Sequence, residues 1–215
     1  MSIPDIDQPQ LPESMTWEEL ERLPEEIAGE IELWAGRPVW VRRGPAEHQD
    51  CSGQFWAVLR RCARQNLSIH PEPCWRASTE TNVFFGVDGK SDFATPHFLV
   101  YRCLEREYQD LRAADLLLVG EVLSPVNTAR SGEARKARYA AAGIPWYWEV
   151  VLGRNPRHIS AVRAYGLGIG GHLPNGIAPL HPANYLLAGE WTTADKGIDF
   201  DHPFPIHVPW AELEF

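Results

Sequence analysis

Two apolar runs near the middle of the chain predict neighbouring strands of a buried sheet. The first covers residues 95–101 and is entered through Pro96. The second covers residues 115–125 and carries Glu121 between apolar residues near its end. Apolar runs of this length, bounded by turn residues, are typical of strands that are covered on both faces. A helix is predicted after them, over residues 131–142, so the centre of the chain has α/β character.

The start of the chain predicts a short helix followed by a β-hairpin. Thr16 precedes a helical pattern that has a glutamate three residues further on, which is a capping box, and this helix should end near Pro24. Residues 27–34 and 38–42 alternate apolar with polar or small residues, and residues 35–37 supply a turn between them. The two alternating segments are therefore interpreted as a β-hairpin.

A long helix is predicted over residues 45–65, and a strand that bends is predicted over residues 75–85. The helix has an apolar face with a periodicity of about 3.6 residues, and its arginines lie mostly on the other faces. The apolar face consists of Phe55, Val58, Leu59 and Cys62, and the arginines are Arg60, Arg61 and Arg64.

Downstream of the central helix the pattern becomes extended. Residues 146–152 and 159–165 predict two strands, which residues 153–157 join into a hairpin at the edge of the sheet. After Gly166 the chain is rich in glycine and proline. We therefore expect a mostly irregular tail with short strands that packs on the domain.

The chain is long enough for one domain with a sizeable core. It has 215 residues, and its hydrophobic fraction of 44% and charged fraction of 23% are ordinary for a soluble globular protein. Residues 1–14 are polar and proline-rich and predict a disordered arm. Residues 15–167 form the predicted core, and residues 168–215 form a C-terminal extension packed on it.

The sequence favours a cytoplasmic protein with no membrane contact. The N-terminal segment lacks the basic and apolar regions of a signal peptide, and no apolar run reaches about 18 residues. None of the four cysteines forms a CxxC pair, so we expect buried, reduced thiols. These cysteines are Cys51, Cys62, Cys74 and Cys103.

The charge balance disfavours DNA as a partner. The net charge is −9, whereas a protein that holds DNA through its phosphates usually carries a basic excess. Basic residues do cluster in the predicted central helix, which leaves a local basic strip open, but such a cluster is more often a solvated helix face. The cluster consists of Arg130, Arg135, Lys136 and Arg138.

Nine tryptophans are more than a chain of this size usually carries. They are expected to fill the core and its edges. The alternative is an aromatic-lined pocket for a flat ligand or a base. DNA, a small-molecule ligand and a second copy of the chain in a homodimer therefore remain open as partners.

Polar groups on the two central strands, next to a basic helix, have the layout of a metal-dependent nuclease site. A carboxylate such as Glu121 is costly to bury among apolar residues unless it is paired or binds a metal. Asp115 cannot share its metal, because six residues of strand span about 20 Å. Hard cations such as magnesium need anionic oxygen ligands, and they activate a bound water for hydrolysis.

Several short sequence segments match one known family, and two of them are distinctive. The distinctive segments are Glu-Val-Leu-Ser-Pro at 121–125 and Tyr-Ala-Ala-Ala-Gly-Ile-Pro-Trp-Tyr-Trp at 139–148. Weaker matches lie at 15–20, 31–39, 47–49, 95–96 and 98–100. With these segments the chain resembles the Uma-two family of endonucleases, which belongs to the PD-(D/E)XK nuclease superfamily. The resemblance extends over about residues 15–167.

The resemblance implies a restriction-endonuclease-like α/β fold with an N-terminal β-hairpin and a mixed central sheet flanked by helices. It also implies phosphodiester hydrolysis with magnesium or manganese. The family's metal-ligand positions fall on Glu32, His97 and Glu121. Its catalytic positions fall on Glu121, His97, Arg135 and Tyr139.

Three positions depart from the family pattern. His97 stands where the family has an aspartate, Arg135 where it has a lysine, and Ser131 where it has an acidic residue. Imidazole prefers zinc, copper or nickel to magnesium, and arginine cannot act as a base near neutral pH. Neither Asp92 nor Lys136 compensates, because strand alternation and helix rotation turn them away. Binding of magnesium or manganese is therefore expected to be weakened.

Three functions are consistent with these residues. The first is a nuclease-fold protein with a degraded metal site that is weak or inactive in DNA cleavage. The second is an active metal-dependent endonuclease that tolerates His97 and Arg135, and the third is an enzyme acting on a small molecule in an aromatic pocket. We expect Glu121, His97 and Arg135 to converge, with Glu32 at the margin. His48 either approaches this site or makes only a polar contact at the start of its helix.

Overall fold

The structure, a computed structural model, describes residues 10–41, 44–86, 88–123, 129–153, 158–169 and 183–215. Within these residues a mixed central sheet has a helix packed on each face, and a β-hairpin lies near the N-terminus. The predicted fold class is therefore confirmed. Among the helices of the described residues, none is long and apolar enough to cross a membrane.

The N-terminal segment consists of two one-turn helices and a hairpin. They are α1 (Trp17–Leu20), α2 (Glu25–Ala28), β1 (Ile31–Trp34) and β2 (Arg37–Trp40). The backbone N–H of Glu19 donates to the Thr16 hydroxyl at 3.2 Å, and the Thr16 N–H donates to the Glu19 carboxylate at 2.8 Å. The predicted capping box is therefore confirmed.

The first strand of the hairpin is shorter than predicted. The prediction that it begins at residue 27 was wrong, because Glu25 and Glu26 follow Pro24 as the first turn of α2. Acidic residues in a first turn stabilise a helix through its dipole. The extended chain begins only after Gly29, which ends this turn.

Helix α3 (Ala46–Ile69) is longer than predicted but buries the predicted face. Phe55 and Leu59 are fully buried, and Val58 and Cys62 are nearly so. This face packs on one side of the central sheet. The helix ends at Ile69 rather than at residue 65, just before His70-Pro71, because the residue that precedes a proline disfavours helical geometry.

The strands after α3 are, in chain order, β3 (Trp75–Thr79), β4 (Val83–Phe84), β5 (Phe93–Ala94), β6 (Phe98–Arg102), β7 (Leu111–Arg112), β8 (Leu116–Leu123), β9 (Trp146–Leu152), β10 (Ile159–Ile169), β11 (Ala183–Trp191), β12 (Gly197–Phe200) and β13 (Ile206–Pro209). Helix α4 (Ala129–Ala141) lies between β8 and β9 in the chain. The central sheet has the order β11-β10-β9-β8-β6-β3 among the described strands. Its β8–β9 pair is parallel and its other pairs are antiparallel, so the sheet is mixed.

The segment predicted as one bent strand over residues 75–85 forms two strands in different sheets. β3 belongs to the central sheet, whereas β4 pairs with β5 and β7 in a small sheet of its own. Glu80 lies between them with a φ of 44°, in the left-handed region. This conformation turns the chain out of the first sheet, so the single-strand prediction was wrong.

The C-terminal part of the chain is more regular than predicted. β9 and β10 pair as expected, but β11 pairs with the outer side of β10, so the β9–β10 hairpin is not at the edge. Residues 206–213 also contribute buried side chains to the core under α3. The expectation of a mostly irregular tail was therefore wrong for residues 183–213.

Two of the four cysteines are bonded to each other. Cys51 and Cys62 are free and buried, as expected. Cys74 and Cys103 form a disulfide, so the expectation of reduced thiols was wrong for this pair. They stand opposite each other just beyond the β3–β6 ladder, where the Cys103 N–H donates to the Cys74 carbonyl at 3.1 Å. Their distant sequence positions do not reveal this pairing.

The tryptophan at the centre of the fold is part of the core. Trp148 is fully buried. Its ring packs against those of Phe55, Trp191 and Phe200. The interpretation of tryptophans as core residues is therefore confirmed at this position.

One glycine in β8 allows the central strands to pack closely next to Glu121. Gly120 is paired with Phe98 across the β6–β8 ladder, and a Cβ at position 120 would overlap the Phe98 ring. Phe98 is itself fully buried and stacks on Phe55 of α3. The ring therefore has no free space into which it could move.

Replacing Gly120 by alanine should destabilise the fold. We expect Gly120→Ala to lower the free energy of unfolding by about 1–3 kcal/mol, because overpacking displaces the Phe98 ring. The matched control is Gly53→Ala in α3, where nothing lies within 4 Å of an added Cβ. That change should stabilise the protein by up to about 1 kcal/mol through helix propensity. Urea unfolding of both variants tests this, and a fully stable Gly120→Ala would contradict it.

Candidate functional site

The site is built around Glu121, whose side chain is 4% exposed near the end of β8. Its Oε1 accepts a hydrogen bond from the Tyr139 hydroxyl of α4 at 2.6 Å. Its Oε2 lies 2.8 Å from Nδ1 of His97, the residue just before β6. The expected convergence of Glu121 with His97 and the central helix is therefore present.

Arg135 of α4 lies between two carboxylates. Its Nη1 is 2.9 Å from Oε1 of Glu32 and 3.4 Å from Oε1 of Glu121. The guanidinium is largely buried, and both carboxylates are almost completely buried. Arg135 and Tyr139 reach the site together because they are four residues apart, on one face of the helix.

Glu32 is a central member of the site. Besides Arg135, it accepts hydrogen bonds from the Thr95 backbone N–H at 2.7 Å and from the Trp34 indole N–H at 2.8 Å. The expectation that it lies at the margin was wrong, and so was the alternative of a surface residue. The reason is that β1 packs against β5, which places Glu32 beside the Thr95 backbone N–H and within reach of Arg135.

His97 Nδ1 has two neighbours that require different states of the ring. The Val122 N–H lies 3.0 Å from Nδ1 and could donate to it, while the Glu121 carboxylate at 2.8 Å requires a proton on Nδ1. An ionised carboxylate forms the stronger hydrogen bond. We therefore assign the proton to Nδ1, so that His97 donates to Glu121 and its other nitrogen, Nε2, is left on the opposite edge of the ring.

His48 approaches the site from α3, as the first of the two interpretations of this residue proposed. Its Nε2 lies 3.0 Å from the Val122 carbonyl, to which it donates, and its ring packs edge-on against His97 with centroids 4.2 Å apart. Burial, and next the neighbouring His97, lower the pKa of His48 to about 4. His48 is therefore neutral at pH 7.

The buried charges of the site stabilise one another. Burial alone would raise the pKa of Glu121, but the charge of Arg135 and the contacts with His97 and Tyr139 outweigh it and lower the pKa to about 2. Burial likewise disfavours the charged form of Arg135, yet Glu121 and Glu32 hold its pKa well above the ordinary value. Burial and Glu121 raise the pKa of Tyr139, so its hydroxyl stays protonated.

The donor set does not fit a divalent metal. Among the described residues, no group of three His, Cys, Asp or Glu side chains has an arrangement that could hold a metal ion. The oxygens of Glu32 and Glu121 that would face a cation already accept from Arg135. A hard cation prefers several anionic oxygens, and here the guanidinium occupies the position between them.

The other described cations of α4 also point inward. Lys136 is 2.6 Å from Glu149 of β9, and Arg138 is 2.7 Å from Asp92. The interpretation of this helix as a solvated basic face was therefore wrong for Arg135, Lys136 and Arg138, since each has a carboxylate partner. Asp92 lies outside the site, as expected.

Glu149 is a buried carboxylate that the sequence analysis missed. It is directly opposite Glu121 in the parallel β8–β9 pair and binds both Lys136 and the Tyr165 hydroxyl, the latter at 2.9 Å. The signal was available, because Glu149 is a lone carboxylate in an apolar strand, as Glu121 is. The same burial argument therefore applied to both residues.

Two parts of the predicted site lie outside the described residues. The Ser124-Pro125 pair after β8 falls in the gap at 124–128. The backbone of Ser131 belongs to α4, but its side chain is not described. The departure at Ser131 therefore remains an inference from the sequence.

A cavity of about 300 Å³ opens next to the site. Glu32 and His97 line it on one side, and α1, α2 and β5 close the other. Trp17 is one tryptophan among the described lining residues, which also include several aliphatic and polar side chains. The aromatic pocket expected for the small-molecule hypothesis is therefore not tryptophan-lined at this cavity.

Comparison with known protein families identifies the chain. The profile of the Uma2 family, described as "Putative restriction endonuclease", matches residues 17–163. The chain belongs to the Uma2 family. No curated protein matches it. The matched range contains every residue of the site, from Glu32 of the hairpin to Tyr139 of the central helix.

A solved structure supports the same fold for this Uma2 protein. It is a putative nuclease belonging to DUF820 from Anabaena variabilis ATCC 29413, with a TM-score of 0.56 and 15% sequence identity. The match covers 93% of this chain and 97% of that chain. At this identity the similarity shows the fold, and the chemistry has to be argued from the site itself.

Removing the guanidinium should destabilise the Uma2 protein strongly. We expect Arg135→Ala to cost about 3–5 kcal/mol in unfolding free energy, because it leaves two buried carboxylates without their cation. The control is Arg163→Ala, which breaks the exposed pair with Glu190 and should cost less than about 1 kcal/mol. Urea denaturation measures both, and equal costs would contradict the central role of Arg135.

The low pKa of Glu121 predicts a pH-dependent stability. The pKa falls from 4.5 to about 2 on folding, so its stabilising contribution is present above pH 4.5 and is lost as the pH falls towards 2. In Glu121→Gln this contribution is absent at every pH. The difference in unfolding free energy between wild type and variant should therefore shrink over this range. A difference that does not change with pH would refute the assignment.

Proposed function

We propose that this Uma2 protein has a degraded nuclease site and does not cleave DNA with magnesium or manganese. The observation that carries the proposal is the position of Arg135, whose Nη1 lies 2.9 Å from Glu32 and 3.4 Å from Glu121. The arginine forms ion pairs with both carboxylates that the family resemblance assigns to the metal. The fixed positive charge thus takes over the electrostatic role of a cation without its chemistry.

A guanidinium cannot replace the metal in hydrolysis. It has no open coordination position for a water molecule, and it stays protonated throughout the physiological range. Its geometry instead suits carboxylates, which it holds with directed hydrogen bonds. For a metal to enter between Glu32 and Glu121, Arg135 would have to leave its buried position, at the expense of both ion pairs.

The surface charge also disfavours DNA. The chain has a net charge of −9, and the described cations of α4 are engaged by carboxylates. Glu21 and Glu80, which are exposed, lie among the described lining residues of the cavity beside the site. Phosphates would be repelled by these groups, which lowers both encounter rate and affinity. A homodimer and a cytoplasmic location stay predictions.

Plasmid nicking tests the proposal. Wild-type protein should give background nicking with magnesium and with manganese. The double change His97→Asp and Arg135→Lys should give more nicking than either single change. It supplies an anionic metal ligand at position 97 and also removes the guanidinium from between the two glutamates. The metal ligand and the group that assists proton transfer act together in catalysis. The increase in nicking rate of the double variant should therefore exceed the sum of the increases of the two single variants.

Two controls make the nicking result specific. Adding Glu121→Ala to the double variant should abolish any gained activity, whereas Arg163→Lys, an arginine change at an exposed ion pair, should have no effect. Robust wild-type cleavage that Glu121→Ala removes would overturn the degraded-site proposal. It would then favour the active endonuclease that tolerates His97 and Arg135.

A further inference from the structure

The cavity beside the site receives one edge of a carboxylate–imidazole pair. Glu121 is 4% exposed and His97 is 20% exposed, so the pair is buried at its carboxylate end and open at its imidazole end. His97 is also a lining residue of the cavity. With the proton on Nδ1 directed to Glu121, the lone pair of the ring lies on Nε2, and His97 is the member of the pair with the larger exposure.

Two further contacts hold His97 in place, one to its backbone and one to its ring. The His97 backbone carbonyl accepts from the Thr79 hydroxyl at 2.6 Å, which fixes the main chain at the entry to β6. His48 packs edge-on against the ring and is itself committed to the Val122 carbonyl. A base that is orientated by a buried carboxylate and by packing is pre-organised for proton transfer.

A hydrogen-bond donor lines the same cavity. The Asn82 Oδ1 accepts from the Thr95 hydroxyl at 2.8 Å, and this assigns the oxygen and leaves the amide NH₂ as a donor. Side-chain amides can stabilise the negative charge that develops on a carbonyl oxygen during acyl transfer. The cavity therefore combines a base with a donor of the kind that stabilises an oxyanion.

The remaining walls indicate the kind of substrate. Trp17, Leu20 and Phe93 give an apolar side, and the acidic lining residues disfavour an anion. A cavity of about 300 Å³ is at the small end of ligand sites. These properties suit a small, neutral molecule with an apolar part and a polar carbonyl group.

We propose that the Glu121–His97 pair is a metal-independent general base that hydrolyses small neutral carboxylic esters in this cavity. The inference rests on the proposed function only in that the pair is free of metal. His97 Nε2 takes a proton from a water molecule, whose oxygen forms a bond to the ester carbonyl carbon. The carbonyl electrons move to the oxygen, which accepts from Asn82. When they return, the bond to the alcohol oxygen breaks, and His97 donates the proton to that oxygen.

Hydrolysis of p-nitrophenyl acetate in the presence of EDTA tests the inference. Wild-type protein should show saturable hydrolysis. His97→Asn keeps an N–H donor for Glu121 but removes Nε2, and it should lower kcat/KM by at least about 100-fold. Asn82→Asp keeps the acceptor for Thr95 but removes the donor, and it should lower kcat by about 100-fold.

The chain offers a matched control for the imidazole. His207 pairs with Asp199 on the β12–β13 hairpin, but both side chains are exposed. His207→Asn should therefore leave hydrolysis unchanged. Equal losses in His97→Asn and His207→Asn, or a wild-type rate no higher than that of His97→Asn, would overturn the proposal.

A second measurement does not depend on variants. Diethyl pyrocarbonate acylates accessible, unprotonated imidazole nitrogens, so wild-type protein should be modified at His97 as detected by peptide mass spectrometry. An unmodified His97 beside a modified His207 would refute the accessible Nε2. Ester hydrolysis without DNA nicking supports both the degraded nuclease site and the esterase activity. Nicking that requires magnesium would overturn the degraded-site proposal alone. The EDTA-resistant hydrolysis would still test the esterase proposal separately.

Discussion

The contact of Arg135 with both Glu32 and Glu121 is the interaction on which the site depends. Burying a carboxylate is costly unless it is paired and hydrogen-bonded, and the guanidinium lies within reach of both carboxylates. The three residues come from the hairpin, the central sheet and α4, so one guanidinium joins three separate parts of the fold. This joining role is performed by a side chain of the protein itself.

The position of residue 97, just before the first residue of β6, explains why an imidazole suits it. β6 begins at Phe98, so the backbone of Val122 extends beyond its strand neighbour. His48 donates to the Val122 carbonyl, while His97 stands by the Val122 N–H and donates to Glu121. The His48 ring thus gives the Val122 carbonyl a hydrogen-bond partner, and the His97 ring gives one to the buried Glu121 carboxylate. The same arrangement leaves one edge of His97 at the cavity, which links the structural role of the ring to the proposed chemistry.

Local patterns predicted the parts of the site that one element presents by itself. The four-residue spacing of Arg135 and Tyr139 placed both on one helical face, and the lone Glu121 in an apolar strand indicated a buried, partnered carboxylate. Glu32 was misjudged, since alternation in β1 gives a face of the strand but not what covers that face. The cations of α4 were misjudged for the same reason, because their carboxylate partners lie in distant segments, as in the Lys136–Glu149 pair.

The sequence by itself determined the capping box at Thr16, the buried face of α3, the hairpin, the two central strands and the family, because these depend on short-range periodicity and on local motifs. Only the tertiary structure decided that Glu32 is central, that β11 rather than β10 forms the edge, and that Cys74 meets Cys103. Each of these is a contact between segments far apart in the chain. Such contacts depend on how whole layers pack and on which buried charges must find partners, and no local pattern encodes that choice.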